Sequence, residues 1–448
     1  MKKIFSFAAV LLAMTGLVFA EGEQEGKSGG QVELRVLNYR DLTSANASTE
    51  IGAVWDAFTK KHPEIKITRE DLFNEPFHNK TEAYAAANRL PDVVYAWPSG
   101  RSTTLHQQKL LKDLTPLIQK DGLKSQYTAA ALDPTGQASG YLAILPFAIT
   151  SSHAFFVNTA VLEACGLQPA KTYDELKAQV PVLKAKGYET VLMANQEMWV
   201  MQSCLFSLVA GRFGGVGWEK KIFSGQAKFT DKDFVDALTF IQTLYKDNVL
   251  SQNTLATGYG DVVGQFATKK GAYLIDGDWR IGTFITDPST GKALIPIAEQ
   301  PKIKITVFPD IPGAKLNKSS STTLGTGWGI SASIPSGSPK EAAAWELVKW
   351  LSGKDVQTYR LQSGGISTPT AVGIDASKLQ LEPLQIAGAQ LASEYTSGTA
   401  VIDAVFHSDI ANAINDGLAE LGRAGGKTPQ QVAQAAQAAF DTWKKNQR

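Results

Sequence analysis

The segment PDVVYA at residues 91–96 decides the fold. It is a short apolar run between a proline and a turn-forming segment, a pattern typical of a strand buried on both faces of a parallel sheet. Upstream, QVELRVL at 31–37 alternates apolar and polar residues and predicts a first strand, and residues 64–68 predict a second. Apolar residues at helical spacing in 49–61 and in 80–89 predict helices between these strands. This β-α-β-α-β order predicts an open α/β sheet with helices on both faces.

The rest of the chain continues the alternation with longer helices. Strand-like runs lie at 142–147, 154–157, 272–275 and 303–308, and amphipathic helices at 173–186, 234–245, 341–351 and 430–445. We therefore expect an α/β fold with two lobes. Each lobe is an open, mostly parallel sheet flanked by helices, and the lobes are joined by several chain crossings.

Composition excludes several classes of protein. With 448 residues, 44% hydrophobic and 19% charged, the chain is globular rather than disordered, collagen-like or coiled-coil. Its 44 basic and 43 acidic residues give a net charge of +1, so charge gives no argument for a nucleic-acid partner.

The first 20 residues have the pattern of a secretory signal peptide. Lys2 and Lys3 precede an apolar stretch that ends in a small-x-small cleavage signal at Ala20. The alternative, a membrane anchor, needs about 20 apolar residues. Residues 21–30 contain almost no apolar residue and predict a flexible leader. We expect an exported, periplasmic or secreted protein with a net charge of −1 after Lys2 and Lys3 are removed from a chain of +1.

The chain has two cysteines, Cys165 and Cys204. Neither lies near the cleavage site, so the sequence predicts no lipid anchor there. Both lie in apolar, helix-like segments, where a disulfide and two free buried thiols are alternatives that the sequence leaves open.

Patterns for catalysis and metal binding are missing from the sequence. The five histidines have no i, i+4 pair, and there is no G-x-S-x-G or Walker motif. The glycine-rich run 325–329 lacks dinucleotide spacing and predicts a close backbone approach or a turn. Asp278, Glu197 and Glu75 could supply a glycosidase acid/base pair, although solvated or hydrogen-bonded acids are the simpler interpretation. We expect no catalytic residues, no metal and no cofactor.

Several short motifs follow one another in an order and spacing that is specific in combination. They are RLPDVV at 89–94, LKDLTPL at 111–117, KTYDEL at 171–176, IDGDW at 275–279, GWGIS at 327–331 and GGISTP at 364–369. Over nearly all the mature length, the chain resembles the bacterial extracellular solute-binding proteins of ABC importers, in the maltose-binding-protein-like, sugar-binding group. It departs from the family pattern at Val157, where the family usually has tyrosine, and at Tyr273 and Leu274.

The resemblance implies a two-lobed periplasmic-binding-protein fold with a multi-crossing hinge. It places residues 31–147 and 306–329 in an N-terminal lobe and residues 151–302 and 333–448 in a C-terminal lobe. The implied function is capture of a carbohydrate, either a mono- or an oligosaccharide, and its delivery to the membrane permease of an ABC transporter. We expect a monomer without enzymatic activity.

The candidate ligand-binding residues follow from the shape of a sugar. An aromatic ring stacks on its apolar face, while charged groups bond its hydroxyl rim. Ligands of open α/β sheets bind at the carboxyl ends of strands, and the resemblance places a ligand-facing aromatic at Trp279. The candidates are Tyr39, Arg40, Asp41, Glu75, Trp97, Arg101, Glu197, Trp199, Asp278, Trp279, Arg280 and Trp328.

Two alternative functions stay open at this point. The solute could be of another class, such as a polyamine, which would favour an acidic, aromatic-lined cleft, or a peptide. A secreted glycoside-acting enzyme is an alternative from a different class, and it would depend on Asp278.

Overall fold

The computed structural model describes residues 31–42, 47–394, 398 and 400–446. The predicted signal peptide, 1–20, and leader, 21–30, lie outside these described residues. Within the described part of the chain, no helix has both the length and the apolar character needed to cross a membrane.

The strands are short and spread over the whole chain. They are β1 (Val32–Tyr39), β2 (Ile65–Leu72), β3 (Val93–Ala96), β4 (Leu145–Pro146), β5 (Ala148–Ser151), β6 (Ala154–Asn158), β7 (Glu189–Leu192), β8 (Gly271–Asp276), β9 (Thr286–Asp287), β10 (Lys292–Ala293), β11 (Ile303–Thr306), β12 (Thr322–Leu324), β13 (Gly327–Ile330) and β14 (Thr368–Pro369).

The helices are longer towards the C-terminus. They are α1 (Ala47–Glu50), α2 (Ala57–Lys61), α3 (Glu75–Ala86), α4 (Thr103–Gln107), α5 (Thr115–Lys120), α6 (Thr159–Ala164), α7 (Tyr173–Ala185), α8 (Ser207–Gly214), α9 (Trp218–Ser224), α10 (Lys232–Lys246), α11 (Asp261–Ala267), α12 (Ile281–Phe284), α13 (Pro339–Leu351), α14 (Lys354–Gln362), α15 (Pro383–Glu394), α16 (Ile402–Val405), α17 (Ser408–Leu421) and α18 (Pro429–Asn446). π-Helical segments Ile51–Asp56 and Met201–Phe206 precede α2 and α8.

The sheet of the first lobe joins β2, β1, β3, β13 and β4 in that order. β1 is parallel to β2 and β3, whereas β13 is antiparallel to β3 and β4. Val93 and Val94 of β3 are fully buried, as the apolar run at 91–96 predicts. β13 is thus the strand that runs against the direction shared by the others.

The sheet of the second lobe joins β11, β6, β8 and β7. β7 and β8 are parallel, and β6 is antiparallel to β8 and β11. Each sheet therefore has strands that mostly point one way, with one strand reversed. The α/β, two-sheet architecture that the sequence predicts is confirmed.

A small sheet of β12, β5 and β14 connects the lobes. β5 follows β4 and leads into β6. β4 leaves the first sheet at the edge where β1 and β3 end, and β6 enters the second sheet opposite the last residue of β8, with Ala154 paired to Asp276. The carboxyl edges of both sheets therefore face this hinge and each other.

The first predicted lobe boundary, residues 306–329, needs a correction. Val307, Phe308 and Ile311 belong to the hydrophobic cores of the second lobe rather than the first. They follow β11, which is already hydrogen-bonded to β6. The chain returns to the first lobe further on, through hinge strand β12.

The second predicted boundary, residues 333–448, is wrong for its first part. α13 packs on β1 and β13, and its Trp345 and Leu347 join Leu34 and Val36 in the core of the first lobe. The apolar stripe of α13 covers the first sheet, so this helix cannot belong to the second lobe. The chain crosses again after β14, and Leu384 of α15 lies in a second-lobe core.

Candidate functional site

Aromatic side chains gather at the carboxyl edge of the first sheet. We name the first-lobe aromatic cluster as Tyr39, Phe73, Phe77, His78, Tyr95 and Trp97. Tyr39 ends β1 and Trp97 follows β3. Their ring centroids lie 5.1 Å apart in an edge-to-face arrangement, and the Tyr39 ring stacks on Tyr95 at 5.5 Å. The predicted residues Tyr39 and Trp97 are thus brought together.

His78 is the one histidine of this cluster, and it carries no charge near neutral pH. Burial lowers the pKa of His78 to about 3, and the nearby Arg101 acts in the same direction. The imidazole is therefore uncharged near neutral pH, and it lies 5.0 Å from the Trp97 ring. Burial also raises the pKa of Tyr39. The cluster offers an uncharged aromatic surface that can stack on an apolar face of a ligand.

A second group of aromatic rings lies at the carboxyl edge of the second sheet. The second-lobe aromatic cluster consists of Trp199, Tyr259 and Trp279. The Trp199 and Tyr259 centroids are 5.0 Å apart, and those of Trp199 and Trp279 are 6.2 Å apart. The Trp279 indole nitrogen Nε1 donates hydrogen bonds to Tyr259 Oη at 2.8 Å and to Asp276 Oδ1 at 3.0 Å. Hydrogen bonds therefore fix the Trp279 ring.

Arg280 supports this second cluster from inside the lobe. Its Nε lies 2.6 Å from Asp276 Oδ2, and the two side chains are 5% and 1% exposed. Its guanidinium carbon lies 3.7 Å from the centre of the Tyr259 ring. This corrects the prediction that Arg280 bonds a ligand, because its charge is already neutralised by Asp276 in the interior.

A strained turn after β7 places Glu197 and Trp199. Met198 has a φ of 62°, a left-handed conformation that a residue other than glycine adopts at a cost. Both carboxylate oxygens of Glu197 accept from the Tyr259 backbone N–H at 3.1 Å. The buried Trp199 Nε1 has no hydrogen-bond partner among the described residues. A ligand hydroxyl could satisfy this donor.

The two clusters lie within electrostatic reach of each other across the cleft. Burial raises the pKa of Tyr259; Arg280 opposes this effect, and the Tyr39 hydroxyl of the first lobe adds to it. Arg101, which acts on Tyr39, also reaches Asp403 of the second lobe, with Nε to Oδ2 at 3.7 Å. Each lobe therefore contributes an aromatic wall to the cleft between the two sheet edges.

Asp278 lies where the cleft meets the hinge. It is 2% exposed and accepts hydrogen bonds from the Ser151 backbone and the Ser367 side chain, while burial raises its pKa to about 7. Its Oδ2, together with Ser151 Oγ and Ser320 Oγ, is buried without a partner among the described residues. Unpaired buried polar atoms are costly, so this group can accept ligand hydroxyls or water.

The structure places the other predicted residues in three different environments. Arg40 is bonded to Glu50 at 2.5 Å within the first lobe. Asp41 is half-buried next to it. Glu75 has 52% of its side chain exposed and pairs with Arg101 at 3.1 Å. Glu75 and Arg101 both act on the pKa of Tyr39, so this ion pair lies beside the first-lobe aromatic cluster.

Trp328 requires a correction. It is fully buried in the core of the first lobe and contacts Trp55 edge-on at 5.7 Å and Tyr95 at 5.3 Å. A Cβ on Gly327 would lie 2.5 Å from the Leu145 carbonyl oxygen. The glycines beside Trp328 thus permit close strand pairing, as predicted for the run 325–329, and do not expose the ring to a ligand.

Sequence reasoning missed Tyr259, Asp276, His78 and Asp403. Tyr259 lies between Gly258 and Gly260 in a loop before α11, and this glycine-flanked aromatic was a signal that could have been read. Asp276 lies four residues before its partner Arg280, so its spacing was also a readable signal. His78 and Asp403 carry no local pattern, because Trp97 and Arg101, which they contact, lie far from them in the sequence. Cys165 and Cys204 are both free thiols. No group of metal-ligating side chains occurs among the residues that the structure describes.

The chain matches a known protein family and several solved structures. A model of the family described as bacterial extracellular solute-binding protein matches residues 43–358, more than half of the chain. The protein from a study of xylan utilisation by the thermophilic bacterium Caldanaerobius polysaccharolyticus is 23% identical with a TM-score of 0.78, over 91% of this chain and 99% of that chain.

Two further solved structures share the fold at lower identity. A chitin oligosaccharide binding protein is 19% identical with a TM-score of 0.80, over 92% of this chain and 98% of its own. A maltose/maltodextrin-binding domain from Bdellovibrio bacteriovorus, bound to maltotriose, is 17% identical with a TM-score of 0.69, over 92% and 100%. No curated protein sequence matches this chain significantly.

Proposed function

The chain belongs to the family of bacterial extracellular solute-binding proteins, and we propose that it captures a carbohydrate between its two lobes. The ligand is a mono- or oligosaccharide, and the chain delivers it to the membrane permease of an ABC transporter. The observation that carries the proposal is the pair of aromatic clusters at the facing carboxyl edges of the two sheets.

The walls of the cleft match the two faces of a sugar ring. Tyr39 and Trp97 offer an uncharged aromatic surface for the apolar C–H face, with the neutral His78 beside them. On the opposite wall, Trp199 and Trp279 supply rings whose positions are fixed by hydrogen bonds and ring contacts. A flat, partly apolar ligand held between these walls would contact both lobes at once.

Unpaired buried atoms supply the polar part of recognition. The Trp199 indole can donate a hydrogen bond, Asp278 Oδ2 can accept one, and the Ser151 and Ser320 hydroxyls can do both. A carbohydrate, which presents several hydroxyls, can satisfy donors and acceptors together. A ligand that touches both lobes stabilises the closed state only by the contacts that the open state lacks.

Export, oligomeric state and lack of catalysis belong to the same proposal. Cleavage after Ala20 would release the mature chain outside the cytoplasm, and it would work as a monomer without a cofactor. The three acids of the enzyme alternative have other tasks in the structure. Glu75 pairs with Arg101, Glu197 accepts from Tyr259, and Asp278 bonds hinge residues.

A thermal-shift panel tests the class of solute. The panel contains maltotriose, raffinose, xylotriose, chitotriose, spermidine and a tripeptide. A ligand at 100 times its Kd raises the free energy of unfolding by about 2.7 kcal/mol, which shifts the melting temperature by several degrees. We expect at least one saccharide to do this, and stabilisation by spermidine or the peptide alone would contradict the proposal.

A pair of variants tests where the saccharide binds. Trp97→Ala removes part of the first aromatic wall and is expected to abolish the saccharide-induced shift. Trp443→Ala is the matched control, because Trp443 packs on Phe223 and Phe440 of the second-lobe core. This control variant is expected to lower the baseline melting temperature but to keep the saccharide-induced shift.

A turnover assay tests the enzyme alternative. If chromatography of the saccharide after incubation reveals turnover that Asp278→Asn abolishes, the protein is an enzyme and the proposal is wrong.

A further inference from the structure

The two lobes touch directly at a point far along the chain from the hinge strands. The first-lobe loop, Pro98–Arg101, lies against the second-lobe turn, Val401–Val405. The Ser99 hydroxyl donates a hydrogen bond to the Ala404 carbonyl oxygen. Ser99 belongs to the first lobe and Ala404 to the second, so this contact requires the lobes to be closed on each other.

Each partner in this contact is held firmly by its own lobe. In the first lobe, the Pro98 carbonyl oxygen accepts a hydrogen bond from the Ala138 backbone N–H at 2.8 Å. The Thr103 hydroxyl donates a hydrogen bond to the Gly100 carbonyl oxygen at 2.5 Å. In the second-lobe turn, the Ile402 backbone N–H donates to Ser207 Oγ at 2.9 Å. The first-lobe loop and the second-lobe turn therefore move with their own lobes, and the distance between them follows the distance between the lobes.

Gly100 permits the close approach. It has a φ of +36°, and a Cβ built on it would overlap the Asp403 carbonyl oxygen and crowd the Ala404 Cα. The obstructing atoms are backbone, which cannot rotate aside as the end of a side chain can. A side chain at position 100 must therefore hold the lobes apart.

Arg101 links the lobes electrostatically. Its Nη1 lies 3.1 Å from Glu75 Oε1 in the first lobe, and its Nε lies 3.7 Å from Asp403 Oδ2 in the second. Asp403 Oδ1 accepts from Ser203 Oγ at 3.3 Å. Burial raises the pKa of Asp403, and Arg101 opposes this effect. Asp403 is therefore a partly buried acid, with 16% of its side chain exposed, whose positive partner comes from the opposite lobe.

We propose that the first-lobe loop and the second-lobe turn form a latch that defines the closed state, in which Arg101 is a positioning residue and Gly100 gives the necessary clearance. Arg101 affects ligand binding by holding the two lobes in their closed arrangement, and it does not bond the ligand itself. The latch concerns how the lobes meet, so it does not depend on which solute binds.

Cross-linking of the ligand-free protein tests the latch. Ser99→Cys and Ala404→Cys are combined in a Cys165→Ala background and oxidised with diamide, and the loss of alkylatable thiols is followed by mass spectrometry. A disulfide traps even briefly closed molecules, since it forms whenever the two sulfurs meet. We expect rapid cross-linking of this pair and slow cross-linking of the control pair Ser99→Cys with Lys232→Cys, whose second position is 85% exposed on the second lobe.

Added substitutions separate the latch from simple proximity. Gly100→Ala in the cross-linking background is expected to slow disulfide formation about tenfold or more, because it depopulates the closed state. Gly140→Ala is the matched control: Gly140 also has a positive φ, of 73°, but nothing within 4 Å of its Cβ position, so the rate stays unchanged. Arg101→Gln slows the rate about two- to fivefold, the value of one modest ion pair, and Arg101→Lys restores part of it.

Three results would overturn the proposal. They are cross-linking of the latch pair no faster than that of the control pair, a Gly100→Ala rate equal to the Gly140→Ala rate, and an Arg101→Gln rate equal to that of the parent. Each leaves carbohydrate binding as a separate question, because no ligand is present in the experiment.

Discussion

The two aromatic walls of the cleft are built in different ways. The first-lobe aromatic cluster is held by rings packed on rings, such as Tyr39 against Tyr95 and His78 against Trp97. The second-lobe aromatic cluster is held by hydrogen bonds and a buried ion pair, from Trp279 to Tyr259 and from Arg280 to Asp276.

The difference predicts a division of labour. Ring-to-ring packing is weakly directional, so the first wall can shift slightly and still present an apolar surface. Charge-assisted hydrogen bonds are directional and costly to break in the interior, so the second wall holds its rings in one orientation. We infer that the first wall contributes contact area and the second wall contributes geometry.

The largest effect is expected from the ion pair under the second wall. Asp276→Asn leaves Arg280 with its charge buried and unpaired, which destabilises a fold by about 3–5 kcal/mol. Urea unfolding measures this loss. Glu163→Gln is the control, since its pair with Lys302 at 3.0 Å has both side chains about half exposed, and it should cost under about 1 kcal/mol. Equal effects would remove the ion pair as the support of this wall.

Asp278 at the hinge predicts a pH dependence with a definite sign. Its folded pKa of about 7 lies above the ordinary 3.8, so between these values the folded chain keeps a proton that the unfolded chain has released. Its contribution to stability is therefore complete below pH 4 and is lost as the pH rises to 7, by at most roughly 4 kcal/mol.

The difference in unfolding free energy between the parent and Asp278→Asn isolates this contribution. It should change steadily between pH 4 and 7 and level off above that range. Asp133→Asn is the control, because Asp133 is an exposed acid that accepts a hydrogen bond from the Thr135 backbone N–H in a surface turn. The difference in unfolding free energy between the parent and this variant should not show that change between pH 4 and 7. A flat profile for Asp278→Asn would show that the hinge carboxyl titrates normally.

Replacing tryptophan by phenylalanine in each wall separates geometry from contact area. Trp279→Phe loses the hydrogen bonds to Tyr259 and Asp276 and should weaken saccharide binding about tenfold, near 1.4 kcal/mol. Trp97→Phe keeps a stacking ring and should weaken it less than about threefold. Isothermal titration calorimetry measures both affinities, and the reverse ranking would refute the division of labour.

The smallest effect is expected at the rim. Glu75 is exposed and pairs with Arg101 at 3.1 Å. Because exposed ion pairs contribute about 0–1 kcal/mol, Glu75→Gln should change saccharide affinity by less than about threefold. A larger loss in calorimetry would mean that Glu75 bonds the ligand directly.

Much of the site follows from one rule about parallel sheets. Tyr39, Trp97 and Asp278 were predicted because they follow strands, and the structure places all three at the facing sheet edges or the hinge. Thr172 and Glu175 likewise show the local capping pattern that starts α7, with Thr172 Oγ1 accepting from the Glu175 backbone at 3.3 Å. Signals confined to a few neighbouring residues were readable in this way.

The rest depended on burial or on partners distant in sequence. Arg280 sits beside Trp279 and looked available to a ligand, yet it is buried in the lobe and its charge is neutralised by Asp276, four residues earlier. Trp328 was misplaced because flanking glycines suit both a binding loop and a close strand pair. The assignment of α13 failed because its apolar stripe does not say which sheet it covers. Tertiary packing decides each of these cases.

The most direct test of the account is calorimetric titration of the saccharide that the thermal-shift panel identifies into the parent, Trp97→Ala and Trp279→Ala. If one ligand is clamped between both walls, the parent binds one saccharide per chain, and each variant, altered in a different lobe, weakens that same binding event by tenfold or more. Unchanged affinity in either variant would mean that the ligand rests on one lobe alone, which would contradict capture between the two.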